Sequence, residues 1–268
     1  MGKLYAILSI LLFAFTTAGA QSIKLDWAKQ NTGSGDNVVN DMARDTAGNL
    51  YLTGYFTDTV DFDPGPDTFA LISKGDKDVF VQKLSPTGDL VWVKQMGGTG
   101  TDVGLAIDVD LAGNVYTAGY FVGTVDFNPG AATNNQVSAG GSQDAFVQKL
   151  NSLGNYVWAY RIGSSNVDIA NDLTVDAVGN VYVTGTFIGT VNFNPAGTTN
   201  LISSGSTFPD IFIQKVNTNS AYQWAKKVGG SGIDETFGIA LDPSGANVYT
   251  TGYFSNTVDF DPGAGPDT

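Results

Sequence analysis

Short apolar runs separated by turn residues recur along the whole chain. The runs are rich in Val, Ile, Tyr, Phe, Trp and Thr, and Gly, Asn, Asp or Pro stand between them. Such runs are typical of β-strands joined by turns. No stretch has apolar residues spaced as on one face of a helix, so the pattern predicts an all-β protein. The clearest set of predicted strands is Gly104–Asp110, Val115–Phe121, Ala145–Leu150 and Tyr156–Ile162.

This set of four strands recurs with a period of about 66 residues, as in tandem-repeat proteins. Each copy has a phrase like Gly-Asn-Val-Tyr at the second strand and a phrase like Thr-Val-Asp-Phe after it. One four-stranded unit cannot bury both of its faces, but neighbouring units bury them by packing face to face. The repeat therefore predicts a β-propeller in which each unit is one blade. The variable segment after the Thr-Val-Asp-Phe phrase predicts an enlarged loop or extra hairpin between the second and third strands.

The segment Asp144–Phe187 carries a more specific resemblance. It reads D-A-F-V-Q-K-L, then G-N-Y-V-W, then D-A-V-G-N-V-Y-V-T-G. These phrases resemble the SBBP repeat, a secreted bacterial β-propeller repeat, and they recur over nearly all of the chain after its N-terminal segment. The resemblance implies no defined catalytic activity, so it carries over no active-site residue. Two features depart from the family pattern: the insert that begins at Thr59–Gly65, and a weakened Gly-rich turn at Gly163–Asn166.

The number of predicted blades is small. The sequence holds three complete sets of strands and the first two strands of a fourth set, through Val258–Phe260. The run around Trp27 has the pattern of a fourth strand, and it is predicted to complete a blade begun elsewhere. Because propellers have four to eight blades as a rule, we expect a partial ring that belongs to a longer chain, truncated at its C-terminus. The alternative is self-association of open strand edges with a second copy.

The N-terminal segment predicts export. Lys3 precedes the apolar run Ile7–Phe15, and the small residues Ala18–Ala20 follow. This order is typical of a cleavable signal peptide, here residues 1–20, and the run is too short to span a bilayer comfortably. Residues 21–268 are then the propeller domain. We expect it to be secreted or held at the cell surface, without membrane insertion of the mature chain.

The composition narrows the possible chemistry. Acidic residues number 26 against 13 basic residues, which argues against nucleic acid and anionic membrane surfaces as partners. The chain has no Cys and no His, so disulfides, Ser-His-Asp and Cys-His catalysis and His-bearing zinc sites are excluded. Metals with oxygen ligands, such as calcium, and carboxylate pairs remain as candidate chemistry.

The Thr-Val-Asp-Phe-Asp-Pro-Gly phrase has two interpretations. Alternating acids before a glycine could supply oxygen ligands to calcium. The same residues also form a strong turn signal, because Asp or Asn caps its own backbone and Pro presets φ. The turn is favoured and no cofactor is expected, because the second and third copies carry Asn128, Asn192 and Asn194 instead of acids. The candidate calcium ligands are Asp61, Asp63, Asp67, Asp259 and Asp261.

Other acids and the tryptophans also recur once per copy. Residues present in every blade are more often structural than catalytic, so we interpret the acids as turn and cross-blade hydrogen-bonding residues. The tryptophans are interpreted as core or inter-blade packing instead of a sugar-stacking platform. The acids are Asp45, Asp110, Asp176 and Asp242, then Asp78, Asp144 and Asp210, then Asp102, Asp168 and Asp234; the tryptophans are Trp27, Trp92, Trp158 and Trp224.

These observations favour a secreted, non-enzymatic propeller that acts as a binding, scaffold or adhesion module. Its expected partner is an extracellular glycan or another surface protein. One alternative is an extracellular carbohydrate-active hydrolase or lyase, for which Glu235 is the candidate acid because it is the single glutamate and stands beside Asp234. Another alternative is a purely structural spacer array in a large surface protein.

Overall fold

The computed structural model describes residues 25–260 except residues 195 and 206. The predicted signal peptide and Asp261 lie outside this part of the chain. The described residues form β-strands and turns, which confirms the all-β prediction. In that same part of the chain, no helix is long and apolar enough to cross a membrane.

Three antiparallel sheets follow one another along the chain, and each contains the four strands of one predicted blade. The third sheet also includes the short strand Val258–Asp259. The first blade contains β2 (Asn37–Arg44), β3 (Leu50–Phe56), β6 (Asp78–Leu84) and β7 (Leu90–Met96). The second contains β8 (Val103–Val109), β9 (Val115–Phe121), β12 (Asp144–Leu150) and β13 (Tyr156–Ile162). The third contains β14 (Ile169–Val175), β15 (Val181–Phe187), β18 (Asp210–Val216) and β19 (Tyr222–Gly230). The half blade contains β20 (Glu235–Leu241) and β21 (Val248–Tyr253).

Short strands accompany the main strands of the blades. They are β1 (Thr32–Gly33), β4 (Thr59–Asp61), β5 (Ala70–Ile72), β10 (Thr124–Asp126), β11 (Asn135–Val137), β16 (Thr190–Asn192), β17 (Asn200–Ile202) and β22 (Val258–Asp259). In each complete blade they form an extra antiparallel hairpin between the second and third strands: β4 with β5, β10 with β11, and β16 with β17. Of the two forms predicted for the insert, the structure shows the hairpin.

In the first, second and half blades, the first strand of the insert contacts the chain that precedes its blade. β1 pairs with β4, Gly97 forms a bridge with Asp126, and Gly229 pairs with Asp259. At these three places, main-chain pairing joins the first strand of the insert to the chain that precedes its blade.

The blades pack face to face, so their middle strands are apolar on both sides. All seven residues of β12 are buried, as are those of β15. β8 contacts β2 and β3 of the preceding blade, and β14 contacts β8 and β9 in the same way. This burial on both faces explains why the sequence lacks strict alternation of apolar and polar residues.

A close main-chain contact explains the glycine before the aromatic residues of each second strand. A Cβ atom at Gly54 would lie 1.8 Å from the carbonyl oxygen of Val38, and one at Gly119 would lie 2.0 Å from that of Val103. The neighbouring strand has a register shift at this point, between Val39 and Asp41 in the first blade. The glycine thus lies at a bulge where two backbones approach closely.

The prediction of a fourth strand around Trp27 is wrong. Residues 25–31 form no strand, although Trp27 donates a hydrogen bond from Nε1 to the carbonyl oxygen of Pro86 at 3.1 Å. The segment therefore lies against the first blade without pairing. A strand needs a hydrogen-bonded neighbour, and the described residues supply no third strand beside this segment.

Three complete blades and half of a fourth are present, as predicted. The described residues form no closed ring. Among the described residues, the first blade and the half blade lie at the two ends of the stack.

Candidate functional site

The acid before each Gly-Asn turn caps that turn. Asp45 accepts hydrogen bonds from the Asn49 backbone N–H at 2.9 Å, the Asn49 side-chain amide at 2.7 Å and the Tyr51 hydroxyl at 3.1 Å. Burial pushes the pKa of Asp45 up, but the hydrogen bonds from Asn49 and Tyr51 outweigh it, so this pKa lies below its ordinary value. The backbone and amide bonds recur at Asp110, Asp176 and Asp242. These acids are structural, as predicted.

The tryptophans join neighbouring blades. Trp92 Nε1 donates to the carbonyl oxygen of Ser152 at 3.3 Å, and Trp158 Nε1 donates to that of Thr218 at 3.0 Å. Each acceptor lies in the turn between the third and fourth strands of the next blade. The prediction of inter-blade packing is confirmed, and no indole face is presented as a shared platform by these contacts.

Two further acids are buried, Asp102 between the first and second blades and Asp168 between the second and third. Asp102 accepts hydrogen bonds from the backbone N–H groups of Gly98 at 2.8 Å and Val122 at 3.2 Å. Burial, together with the charge of nearby Asp78, raises the pKa of Asp102 to about 7. Asp168 repeats the arrangement one blade later, and burial raises its pKa to about 7 as well. These carboxyls hold turns together in the interior, where no substrate reaches them.

Three acids that the sequence reasoning missed link the innermost strands. The backbone N–H of Ile107 donates to Asp41 at 2.8 Å, that of Val175 donates to Asp108 at 2.9 Å, and that of Ile239 donates to Asp172 at 2.7 Å. Burial raises the pKa of each acid. Asp41 and Asp172 directly follow the register shift of their strands, whereas Asp108 lies two residues beyond that position in β8. Because the three acids do not share one position in the repeat, no repeated phrase revealed them.

The candidate calcium ligands act as turn caps where the structure describes their contacts. Asp61 Oδ1 accepts hydrogen bonds from the backbone N–H groups of Asp63 at 3.0 Å and Phe69 at 2.8 Å. Asp63 Oδ1 accepts one from Gly65 at 2.7 Å. In the third copy, Asn192 forms the same two bonds as Asp61. A neutral amide therefore replaces the carboxylate without loss of the turn.

Three candidate ligands remain. Asp67 is exposed, Asp259 is in β22, and Asp261 is outside the described residues. Across residues 25–260, leaving out the two undescribed positions, no group of three or more acids is placed to hold a metal ion. Turn capping accounts for the phrase, and calcium binding stays a prediction.

A polar groove lies between the second and third blades. It has a volume of about 570 Å³ and is lined by Gln136, Arg161, Asn192, Asn219, Ser220 and alanines that include Ala159. β13 and the β10–β11 hairpin form one wall, and the turns before β17 and β19 form the other. The lining offers a guanidinium, amides and a hydroxyl, which are groups that recognise polar ligands.

Arg161 is the distinctive side chain of the groove. Its guanidinium forms an ion pair with the buried Asp144 at 2.7 Å, and about a third of the side chain (33%) remains exposed. Gln95 and Lys227 stand at the equivalent positions of the other complete blades. This departure from the repeat is the signal by which the groove could have been noticed in the sequence.

The candidate acid Glu235 stands next to a buried aspartate. Asp234 is fully buried, and its carboxylate accepts hydrogen bonds from the backbone N–H groups of Gly230 at 2.7 Å and Ser255 at 3.3 Å. Glu235 lies at the start of β20, with Tyr253 opposite in the strand pair. Because Asp234 is buried, it is not an exposed second acid beside Glu235.

Comparison with known proteins agrees with this architecture. A family model described as the SBBP beta-propeller repeat matches residues 91–120 and 157–186. Each match runs from the fourth strand of one blade to the second strand of the next. The chain contains SBBP repeats.

Two longer proteins resemble the SBBP-repeat chain. An uncharacterized WD repeat-containing protein of Acanthamoeba polyphaga mimivirus is 25% identical over 208 residues, which cover 69% of this chain and 15% of that protein. The regulatory protein FlaEY of Caulobacter vibrioides is 30% identical over 128 residues, which cover 46% of this chain and 13% of that protein. The SBBP-repeat chain thus matches a small part of each relative.

Proposed function

We propose that this SBBP-repeat protein is a non-enzymatic binding module of the cell exterior. The groove between the second and third blades is its contact surface. The observation that supports the proposal is the groove itself, about 570 Å³ in volume and lined by polar side chains of two blades. Cavities of this size accept small ligands or a protruding part of a larger one. The signal-peptide pattern of residues 1–20 supports an extracellular setting.

A neutral or acidic glycan fits the groove best. The hydroxyl groups of a sugar can accept from Arg161 and Asn219 and donate to the oxygens of Asn219 and Ser220. Arg161 brings a positive charge into a strongly acidic chain, whose formal net charge is −13. Because Asp144 balances this charge, the exposed part of Arg161 acts mainly as a hydrogen-bond donor to the ligand.

Glycan-array binding of the purified chain tests the proposal. We expect the wild-type protein to bind a defined set of glycans and Arg161→Gln to lose that signal. Arg44→Gln is the matched control, because it makes the same chemical change at the only other arginine. Binding that survives both Arg161→Gln and Asn219→Ala would place the contact surface elsewhere. Silence on the array together with silence in pull-down with surface proteins would favour the spacer alternative.

The enzymatic alternative has a separate test. If Glu235 acted as a catalytic acid, Glu235→Gln would abolish turnover of any glycan that the chain binds. We expect the chain to bind without cleaving, so that product formation stays at background in both proteins.

A further inference from the structure

Two residues of the polar groove differ in character from their counterparts in the other complete blades. The groove between the second and third blades is lined by Gln136 and Ser220 among others. Gln136 lies in β11 of the second blade, and Ser220 lies in the turn between β18 and β19 of the third blade. The two side chains therefore belong to opposite walls of the groove.

Gln136 occupies a position that is apolar in the other inserts. Leu71 and Leu201 are its counterparts, because each lies opposite the valine of its own insert hairpin, as Gln136 does. Both leucines pack against the hydrophobic core. Gln136 is half-buried, and its Nε2 donates to Oδ1 of Asn134 at 3.2 Å. Its Oε1 accepts no hydrogen bond from the described residues, so the glutamine gives up apolar burial without gaining a second polar contact.

Ser220 occupies a position that is glycine in the other complete blades. Its backbone has a φ of 61°, and Gly88 and Gly154 have φ values of 80° and 76° at the same place in their turns. The N–H of each of these three residues donates to the carbonyl oxygen three positions earlier, at 2.8–2.9 Å. The other non-glycine residues with positive φ in the described chain are Asp58 and Asn256, residue types that tolerate it. A serine in this conformation carries backbone strain that glycine would not.

A second change in the repeat accompanies Ser220. A Cβ atom at Gly154 would lie 2.6 Å from Cε of Lys94 in the preceding blade. At the groove this lysine is replaced by Tyr160, whose hydroxyl is held by Gln214 at 2.9 Å. The hydroxyl of Ser220 forms no hydrogen bond with the described residues, so it is available to a ligand in the groove.

Both substitutions lower stability and both add a free polar group to the groove. Oε1 of Gln136 is an acceptor on one wall, and the hydroxyl of Ser220 is a donor and an acceptor on the other. Strained residues cluster at sites that bind ligands, where the contact with the ligand offsets their cost. A neutral sugar ring carries hydroxyl groups on opposite edges, and it can therefore engage both walls at once.

We propose that Gln136 and Ser220 are the specificity-determining residues of the groove, an inference that rests on the glycan-binding function proposed above. One hydroxyl of a neutral sugar ring donates to Oε1 of Gln136. A second hydroxyl, on another edge of the ring, forms a hydrogen bond with Ser220. Because both side chains are neutral, this pair recognises the positions of hydroxyl groups instead of charge.

Replacing each residue by its counterpart in the repeat separates stability from binding. Ser220→Gly should raise the melting temperature by about 2–4 °C, because glycine adopts the left-handed conformation without strain. Gln136→Leu should raise it as well through added apolar burial. Ser220→Ala keeps the strained backbone and should leave the melting temperature nearly unchanged.

Thr117→Val is the matched control outside the groove. Thr117 is buried, its hydroxyl has no partner among the described residues, and Val183 is its counterpart in the third blade. The change to valine should raise the melting temperature, because it removes a buried hydroxyl without a partner. It should leave binding as in the wild type.

Binding is measured on an array printed with oligosaccharides of glucose, galactose, mannose and N-acetylglucosamine. Gln136→Leu, Ser220→Gly and Ser220→Ala should each weaken binding of the sugars that the wild type binds by about threefold to tenfold, the effect of one lost hydrogen bond. Monodeoxy derivatives of a bound oligosaccharide then identify the contacts. Loss of one hydroxyl should weaken binding to the wild type without further effect in Ser220→Ala, and loss of another should do the same with Gln136→Leu.

The outcomes distinguish this inference from the proposed function. Sugar binding that all three groove variants keep would overturn the inference and leave the glycan-binding function in place. A melting temperature that falls in Ser220→Gly would overturn it as well, since Ser220 would then hold no strain. A wild-type chain that binds none of the printed sugars would overturn the glycan-binding function and this inference together.

Discussion

The hydroxyl of Tyr160 in the second blade donates a hydrogen bond to Oε1 of Gln214 in the third blade, 2.9 Å away. Gln214 in turn donates from Nε2 to the carbonyl oxygen of Phe193 at 2.5 Å. Both side chains are buried. These two bonds connect the outer strand of one blade to the insert hairpin of the next, beneath the polar groove.

Tyr160→Phe should lower the free energy of unfolding by about 1–3 kcal/mol, because the buried Gln214 oxygen loses its donor. Urea unfolding followed by tryptophan fluorescence measures the change. Tyr222→Phe is the control, since the hydroxyl of Tyr222 makes no hydrogen bond within the described residues. A loss of equal size in both variants would show that the hydrogen bond to Gln214 contributes nothing specific.

Stability should fall as pH rises from about 4 to about 7. Burial raises the pKa values of Asp102 and Asp168 to about 7 in the folded chain, from 3.8 in an unfolded chain. Between these values the folded state binds more protons than the unfolded state, so raising the pH favours unfolding, and above pH 7 the effect is complete. The lowered pKa values of Asp45 and Asp176 act in the opposite direction only below about pH 4.

Thermal melts between pH 4.5 and 8 measure this dependence. Asp102→Asn and Asp168→Asn should each make the slope of melting temperature against pH less steep. Asp67→Asn changes an exposed acid in a turn and serves as the comparison. A melting temperature that rises between pH 5 and 7 in the wild type would contradict the assignment of these two carboxyls.

Trp158→Phe should destabilise the chain by about 1–3 kcal/mol, since it removes the bond to Thr218 and part of a packed ring. Trp158 also packs against Tyr116, with ring centroids 6.1 Å apart. Urea unfolding measures the loss. Trp27→Phe should cost less, because the hydrogen bond of Trp27 to Pro86 is exposed to solvent. A larger loss at Trp27 than at Trp158 would contradict the inter-blade role.

Asp61→Asn should leave stability nearly unchanged, because Asn192 forms the same turn bonds in the third copy. Asp61→Ala should cost about 1–2 kcal/mol, because the N–H groups of Asp63 and Phe69 lose their acceptor. Melts in calcium and in EGTA complete the test. A calcium-dependent rise in melting temperature that Asp61→Asn removes would establish the calcium interpretation instead of the turn.

Much of the fold could be predicted because each repeat contains the apolar runs and turn residues that form its own strands. The predicted strands Val115–Phe121 and Tyr156–Ile162 match β9 and β13, and the variable segment takes one of its two predicted forms, the hairpin. The prediction of a strand around Trp27 was wrong because these residues have a strand-like pattern but no neighbouring strand to pair with among the described residues. Apolar patterning identifies a residue suited to a sheet, but pairing decides whether a sheet forms.

Less of the candidate site could be predicted. The turn acids were identified, since an Asx turn is a contact between residues a few positions apart. The groove was missed because its walls come from different repeats, as Gln136 and Asn219 do. Arg161 was visible in the sequence only as a departure from Gln95 and Lys227.

The sequence by itself determined the repeating unit, its strand order and its turns, because these depend on backbone preferences and contacts within one repeat. Tertiary structure decided the contacts between repeats. The bond from Trp158 to Thr218 joins residues 60 positions apart, and the polar groove is lined by Gln136 of one repeat and Asn219 of the next. Such features depend on which residues come into contact after the blades stack, and the pattern of a single repeat does not specify those pairs of residues.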